Sequence, residues 1–249
     1  MKHILTCCLI FLISSCYKVE EKTTTSSVKS PDSYRWKSFP RPFYLSSTII
    51  NEENDIKHMI SAWNEPLKKP LLQAYLYTDP GSEGFKDSFT SIEEISTDKY
   101  NGFYLVHNDD WPTSKESLGV TILMGRVNNH GEFIIEEADI LIRDTNYDFK
   151  TVVIHELGHY MGLQHRPERE SVMFGSITSD EKKHSPTAVD LKVLARLYNL
   201  SYGVTPSSPK DLSVPEGKGQ LQRVIIELSA DMNCRHYLDG MEIHSHKIN

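Results

Sequence analysis

The chain has 249 residues, of which 39% are hydrophobic and 24% are charged, and its formal net charge is −7 at pH 7. This length allows one sizeable hydrophobic core with tails, and the composition is that of an ordinary soluble domain. The negative charge and the lack of a basic stripe argue against nucleic acid as a partner.

The first residues have the pattern of an export signal rather than of a folded element. A short basic start precedes an apolar run over 4–13, which is too short to span a membrane stably. The sequence ISSC at 13–16 resembles a bacterial lipobox, which implies that 1–15 is a lipoprotein signal peptide and that Cys16 is lipidated. Tyr17 stands where an aspartate would retain a lipoprotein at the inner membrane. The resemblance therefore implies anchoring in the bacterial cell envelope, at the outer membrane or cell surface, with an ordinary secretory peptide as the alternative.

Residues 16–33 are rich in Thr, Ser, Lys and Glu, a composition that predicts a flexible tether. A coil of this length spans roughly 20–25 Å on average, so the domain could stand clear of a lipid surface. With Cys16 lipidated and the two earlier cysteines removed, Cys234 is the one remaining thiol. We therefore expect no intramolecular disulfide in the mature chain.

From Tyr34 the pattern becomes that of a folded domain, which we predict over 34–202. Apolar residues recur with strand or helix spacing and predict five strands and three helices. The strands are predicted at 41–50, 72–78, 102–107, 118–127 and 133–143, and the helices at 51–64, through the 155–165 region and at 187–200.

Proline, serine and glycine predict a linker over 203–219. The extension at 220–249 contains one apolar run, Val224 to Leu228, followed by a polar tail. It is predicted to be either a strand that packs back on the domain or a disordered tail.

The most specific pattern is HExxHxxGxxH at 155–165. His155 and His159 are four residues apart, so on a helix they lie on one face and can reach one ion. Glu156 then stands beside the ion, where a general base can take a proton from the attacking water. Gly162 permits the left-handed conformation that ends a helix, so the chain can turn and bring His165 back as a third ligand. Three protein ligands leave one position for water, which is the arrangement of a catalytic zinc.

The motif, together with SVMFG at 171–175, resembles the metzincin zinc endopeptidases, whose signature is followed by a methionine turn. Met173 matches that methionine, which in the family lies beneath the metal without binding it. Gly175 stands where astacins and serralysins carry a tyrosine ligand, so the resemblance is to the matrixin branch. It implies an α+β catalytic domain with a twisted five-stranded mixed sheet, three helices and an active-site helix followed by the methionine turn.

The resemblance further implies a zinc metalloendopeptidase with Glu156 as the catalytic residue and a protein or peptide as the substrate. The substrate is expected to lie along an exposed fourth strand near 119–125. Matrixins also bind calcium and a second zinc, and His107, Asp109 and His130 are the candidates for such a structural site. The rest of that pattern is missing, which favours ordinary polar loops. We expect a monomer.

Three alternatives stay open. The histidines could lie by chance on a surface helix, or a thermolysin-like site could use a distant glutamate such as Glu181. The protein could also be a non-catalytic zinc-containing surface lipoprotein, either an adhesin or a degenerate protease.

Overall fold

The computed structural model describes residues 31, 33–202, 219–231 and 233–247. The predicted signal peptide, Cys16 and almost all of the predicted linker lie outside these ranges. The strands are β1 (Ser33–Trp36), β2 (Arg41–Leu45), β3 (Leu72–Leu76), β4 (Gly102–Val106), β5 (Ser117–Val127), β6 (Glu132–Arg143), β7 (Gln222–Ser229), β8 (Asn233–Leu238) and β9 (Met241–Lys247). The α-helices are α1 (Glu53–Leu67), α2 (Ile92–Ile95), α3 (Phe149–Tyr160) and α4 (Ala188–Leu197).

All the described strands belong to one mixed sheet with the order β3-β2-β4-β6-β5-β7-β8-β9, and β1 also pairs with β6. The predicted α+β fold is therefore present, and the five predicted strands correspond to β2 through β6. The predicted strand count of five is wrong, because the described residues form nine strands. β1 is only four residues long and β8 and β9 are largely polar, so none of them carries a strong apolar period.

The predicted count of three helices is also too low, because α2 adds a single turn that is too short to show helical periodicity. The first predicted helix corresponds to α1, whose residues Ile56, Met59, Ile60 and Trp63 are buried as their spacing requires. Among the described residues, no helix combines the length and the apolar character needed to cross a membrane.

Of the two alternatives for 220–249, the strand that packs back on the domain is confirmed. β7, β8 and β9, which we call the C-terminal meander (Gln222–Lys247), continue the main sheet. β7 runs antiparallel to β5 from Ser117 to Gly125. Its residues Val224, Ile226 and Leu228 are fully buried in the main core, so the meander is part of the domain's core.

The expectation that the fourth strand is an exposed edge is wrong. That strand is β5, and it has β6 on one side and β7 on the other. Its backbone groups along 117–125 therefore bond to the protein itself rather than being free for a substrate strand. The apolar run that forms β7 is short and separated from β5 by a long stretch of sequence, so the pattern alone gave no partner for it.

The core lies between this sheet and the helices α1, α3 and α4, and α3 is its centre. Every residue of α3 from Thr151 to Tyr160 is buried. The helix contacts α1 on one side and β5, β6 and β7 on the other. A helix buried on all sides can hold polar side chains only if they bind one another, the backbone or an ion.

Candidate metal centre

The helix α3 begins at a side-chain cap. Asp148 is its N-cap residue, and its carboxylate accepts hydrogen bonds from the backbone N–H of Thr151 at 2.9 Å and from its hydroxyl at 2.7 Å. His184 also lies 2.6 Å from the same carboxylate oxygen. These contacts fix the start of the helix that carries the motif.

The helix ends where the sequence predicted a turn. Gly162 has φ +91°, and a Cβ atom there would lie 2.2 Å from the backbone oxygen of Tyr34. Its N–H donates to His159 O at 2.8 Å, and Leu163 N donates to Gly158 O at 3.0 Å. Only glycine fits this combination of left-handed backbone and close approach. The turn brings the chain back toward the helix and places His165 beside His159.

Three imidazole nitrogens converge at this point. The Nε2 atoms of His155 and His159 are 2.9 Å apart, and that of His165 is 3.2 Å from the first and 3.0 Å from the second. A tetrahedral zinc site with Zn–N bonds of 2.0–2.1 Å places its ligand atoms about 3.3 Å apart. Among the described residues, this is the one group of three or more His, Cys, Asp or Glu side chains whose ligand atoms all lie within 4.8 Å of one another.

The hydrogen bonds of two of these histidines determine which nitrogen carries the proton. His155 Nδ1 lies 2.6 Å from Val172 O, and His159 Nδ1 lies 2.7 Å from Leu163 O. A carbonyl oxygen only accepts, so each Nδ1 carries hydrogen and each Nε2 is left as an acceptor.

Complete burial keeps these rings neutral. It lowers the pKa of His155 well below its usual range, with a smaller contribution from His159, and it lowers the pKa of His159 to about 4. Neutral rings whose lone pairs face one another repel unless a cation lies between them. The donor set therefore fits a divalent metal that prefers nitrogen ligands, such as zinc.

Glu156 lies beside this cluster, held by β5. The hydroxyl of Thr121 donates to its Oε2 at 2.6 Å, and the other oxygen, Oε1, has no hydrogen-bond partner among the described residues. A Cβ atom at Gly119 would lie 2.5 Å from Oε1 and 2.8 Å from Val152 Cγ1, so any larger residue there would have to displace the carboxylate. Burial raises the pKa of Glu156 to about 8, and the charge of Glu227 adds to the rise. A carboxyl with a pKa near neutrality can both accept and return a proton.

Met173 packs against α3, the helix that carries the motif. Its sulfur would lie 2.2 Å from a Cβ atom at Gly158, between the first two histidines, and its side chain is fully buried. The preceding carbonyl, Val172 O, is the one that orients His155. The segment is anchored by Asp190 of α4, which accepts a hydrogen bond from Val172 N at 3.2 Å and another from the hydroxyl of Ser171. The same carboxylate accepts from Thr187 N at 2.8 Å, so Asp190 is the third residue of a capping box whose N-cap is Thr187.

The structural-metal candidates do not gather into a second cluster. His107 is exposed and lies 3.3 Å from Asp144, while His130 is exposed in the turn between β5 and β6. Within the described ranges neither joins Asp109 in a group with ligand spacing. Glu181 pairs with Lys183 at 2.8 Å and lies outside the three-histidine cluster, so the thermolysin-like ligand set is not the one observed.

Sequence reasoning missed three residues around the site. Thr121 and Gly119 both shape the position of Glu156, and a lone threonine in the apolar run of β5 was a usable signal. The third is His236 on β8, whose Nε2 lies 3.2 Å from Nδ1 of His165. It is buried, and nothing in its sequence neighbourhood indicates a contact with a motif about seventy residues earlier.

Comparison with known proteins agrees with this geometry. Residues 84–199 match the family model described as Matrixin, just under half of the chain. A second finding is similarity to two plant proteins from Arabidopsis thaliana. Metalloendoproteinase 2-MMP is 36% identical over 64 residues, 25% of this chain and 17% of the relative. Metalloendoproteinase 1-MMP is 28% identical over 120 residues, 45% of this chain and 33% of the relative.

The segment that resembles the matrixin model therefore contains the three-histidine cluster, and both plant relatives are named as metalloendoproteinases. The chain spans a third or less of the length of the two plant relatives that it matches. The matched segment includes α3 and the three histidines but ends before the C-terminal meander begins.

Proposed function

We propose that this protein is a zinc-dependent endopeptidase that hydrolyses peptide bonds of proteins or peptides at the bacterial cell envelope or outside the cell. The observation that carries the proposal is the convergence of three imidazole Nε2 atoms, 2.9–3.2 Å apart, at the helix turn that also carries the buried carboxyl of Glu156. In this proposal His155, His159 and His165 hold one zinc, and Met173 is the methionine of the methionine turn. The zinc, when bound, would polarise the scissile carbonyl and lower the pKa of water to about 7.

Glu156 is the proposed general base and acid. Its Oε1 has no hydrogen-bond partner among the residues that the structure describes, so this oxygen is the one available to accept a proton from the attacking water. Thr121 holds Oε2 at 2.6 Å and keeps the carboxyl from rotating away. The protonated carboxyl can then deliver the proton to the leaving amine.

Two observations favour the non-catalytic alternative, a zinc-containing surface lipoprotein. Glu156 is fully buried, and β7 covers the strand that a substrate would otherwise pair with. The experiment must therefore measure metal content and hydrolysis separately, because a buried zinc site alone would satisfy the first and not the second.

The test compares native protein with Glu156→Gln and with Glu170→Gln, an exposed glutamate in the neighbouring loop. All three should bind about one zinc, since Glu156 is not a proposed ligand. Loss of general acid–base catalysis should slow cleavage of an unstructured protein or a broad peptide library by about 10²–10⁴-fold in Glu156→Gln only. Equal rates in all three proteins, or no cleavage by zinc-loaded native protein, would leave the non-catalytic alternative.

The envelope address is a separate part of the proposal and rests on the lipobox-like sequence at 13–16. Mass spectrometry of the membrane fraction should find acyl chains on Cys16, and Cys16→Ser should release the protein from that fraction. An unmodified Cys16 in native protein would indicate an ordinary secretory signal instead.

A further inference from the structure

The three proposed metal ligands differ in what supports them. His155 and His159 each direct Nδ1 at a backbone carbonyl, Val172 O and Leu163 O, in or just after the motif. His165 directs Nδ1 at a side chain instead, the imidazole of His236 at 3.2 Å. That side chain comes from β8, outside the segment that matches the matrixin model.

We infer that His236 is a positioning residue for the metal centre, and that the C-terminal meander thereby completes the support of the third ligand. The inference rests on the proposed function only in assuming that the three Nε2 atoms hold zinc. For His165 to offer an unprotonated Nε2, its Nδ1 must carry the hydrogen and donate it. His236 Nε2 is then the acceptor, so His236 carries its own hydrogen on Nδ1.

The meander has the rigidity that this role requires. His236 is 5% exposed, and its strand β8 pairs with β7 on one side and β9 on the other. β7 is in turn paired with β5, which also carries Thr121 and Gly119. β7 thus lies between β8, which carries the acceptor for His165, and β5, which carries the residues that place Glu156. Because β8 is paired on both sides, the imidazole of His236 loses little conformational entropy when it orients His165.

The experiment measures zinc affinity by chelator competition in the full chain, for native protein and four variants. His236→Ala removes the acceptor, while His236→Gln retains an acceptor oxygen near the position of Nε2. His58→Ala removes an exposed histidine of α1 that is not part of the three-histidine cluster, and Leu238→Ala loosens β8 with His236 intact. Cobalt absorption spectra report the ligand geometry independently of any cleavage, and chemical unfolding of the metal-free proteins reports stability.

We expect His236→Ala to weaken zinc binding by about 10–100-fold and to shift the cobalt spectrum. His236→Gln should recover most of the affinity, and His58→Ala should match native protein. Unchanged affinity and spectrum in His236→Ala would overturn the inference, as would a loss that glutamine does not recover or that Leu238→Ala reproduces in full. Failure of native protein to bind zinc would instead refute the proposed function, whereas zinc binding without cleavage would leave this inference intact.

Discussion

The segment that matches the matrixin model and the C-terminal meander both contribute strands to one sheet. They differ in whether a sequence motif reveals their role. Residues 84–199 contain α3, the three histidines and Met173, and the spacing of these site residues forms a recognisable sequence motif. The meander contains no motif, yet it supplies β7 along β5 and His236 beside His165. The comparison teaches that the reactive groups are specified locally, whereas their surroundings are completed by residues far along the chain.

The largest effect we expect comes from two glycines, one in each region. A Cβ at Gly162, where φ is +91°, would lie 2.2 Å from a backbone oxygen. A Cβ at Gly240, where φ is +81°, would meet no atom of the described residues within 4 Å beyond its chain neighbours. Gly162→Ala should lower the free energy of unfolding by about 3–5 kcal/mol, through left-handed strain and a backbone clash. Gly240→Ala should cost only the strain, about 1 kcal/mol. Denaturant unfolding measures both, and equal losses would contradict the close approach at Gly162.

A second substitution tests whether the meander unfolds together with the rest of the domain. Ile226 is fully buried in the main core, whereas Leu221 is 41% exposed. Ile226→Ala should lower the free energy of unfolding by about 2–4 kcal/mol because it leaves a cavity, and Leu221→Ala should change it by less than about 0.5 kcal/mol.

If the meander unfolds together with the domain, Ile226→Ala should show a single unfolding transition, shifted to lower denaturant concentration. If the meander were a separate unit, Ile226→Ala would produce an early transition of its own and leave the main one in place. Tryptophan fluorescence reports the core around Trp36 and Trp63, and amide exchange at β7 reports the meander, so the two probes together decide the question.

The smallest of these effects concerns Glu137, a buried carboxyl of β6. Glu137 accepts a hydrogen bond from Lys99 N at 2.9 Å through Oε2, while Oε1 has no partner among the described residues. Burial and then the charge of Asp98 raise the pKa of Glu137 from 4.5 to about 7. The folded state therefore holds this proton to higher pH than the unfolded chain does.

The stability from this group is full below about pH 4.5 and is lost as the pH rises through about 7. Compared with Glu137→Gln, native protein should lose about 1–3 kcal/mol of unfolding free energy between pH 4.5 and pH 8. If the meander is cooperative with the domain, exchange protection of the β7 amides should follow the same difference. A constant gap between the two proteins across this range would contradict the raised pKa.

Much of the fold followed from patterns of short range. The spacing of Ile56, Met59, Ile60 and Trp63 predicted α1, and alternating apolar residues located β2 through β6. The left-handed turn at Gly162 was predicted because one residue type alone tolerates that conformation. The convergence of His155, His159 and His165 then followed from helical geometry and that turn.

What escaped prediction was pairing over long distances. The run at Val224 to Leu228 identified a strand but not its neighbour, because any long apolar edge would satisfy the same pattern. β8 and β9 have mostly polar residues, so their pairing depends on backbone hydrogen bonds that a sequence pattern does not display. His236 could not be connected with His165 until the order of the strands was known.

The pairing of β7 with β5 has a consequence for the order in which the protein is made. About a hundred residues separate each β7 residue from its partner on β5, and contacts across such a distance form late because closing the loop costs entropy. When synthesis has passed residue 202, all three histidines and Glu156 exist, but neither the second neighbour of β5 nor His236 does. The nascent chain therefore acquires the reactive groups well before it acquires the strands that enclose them.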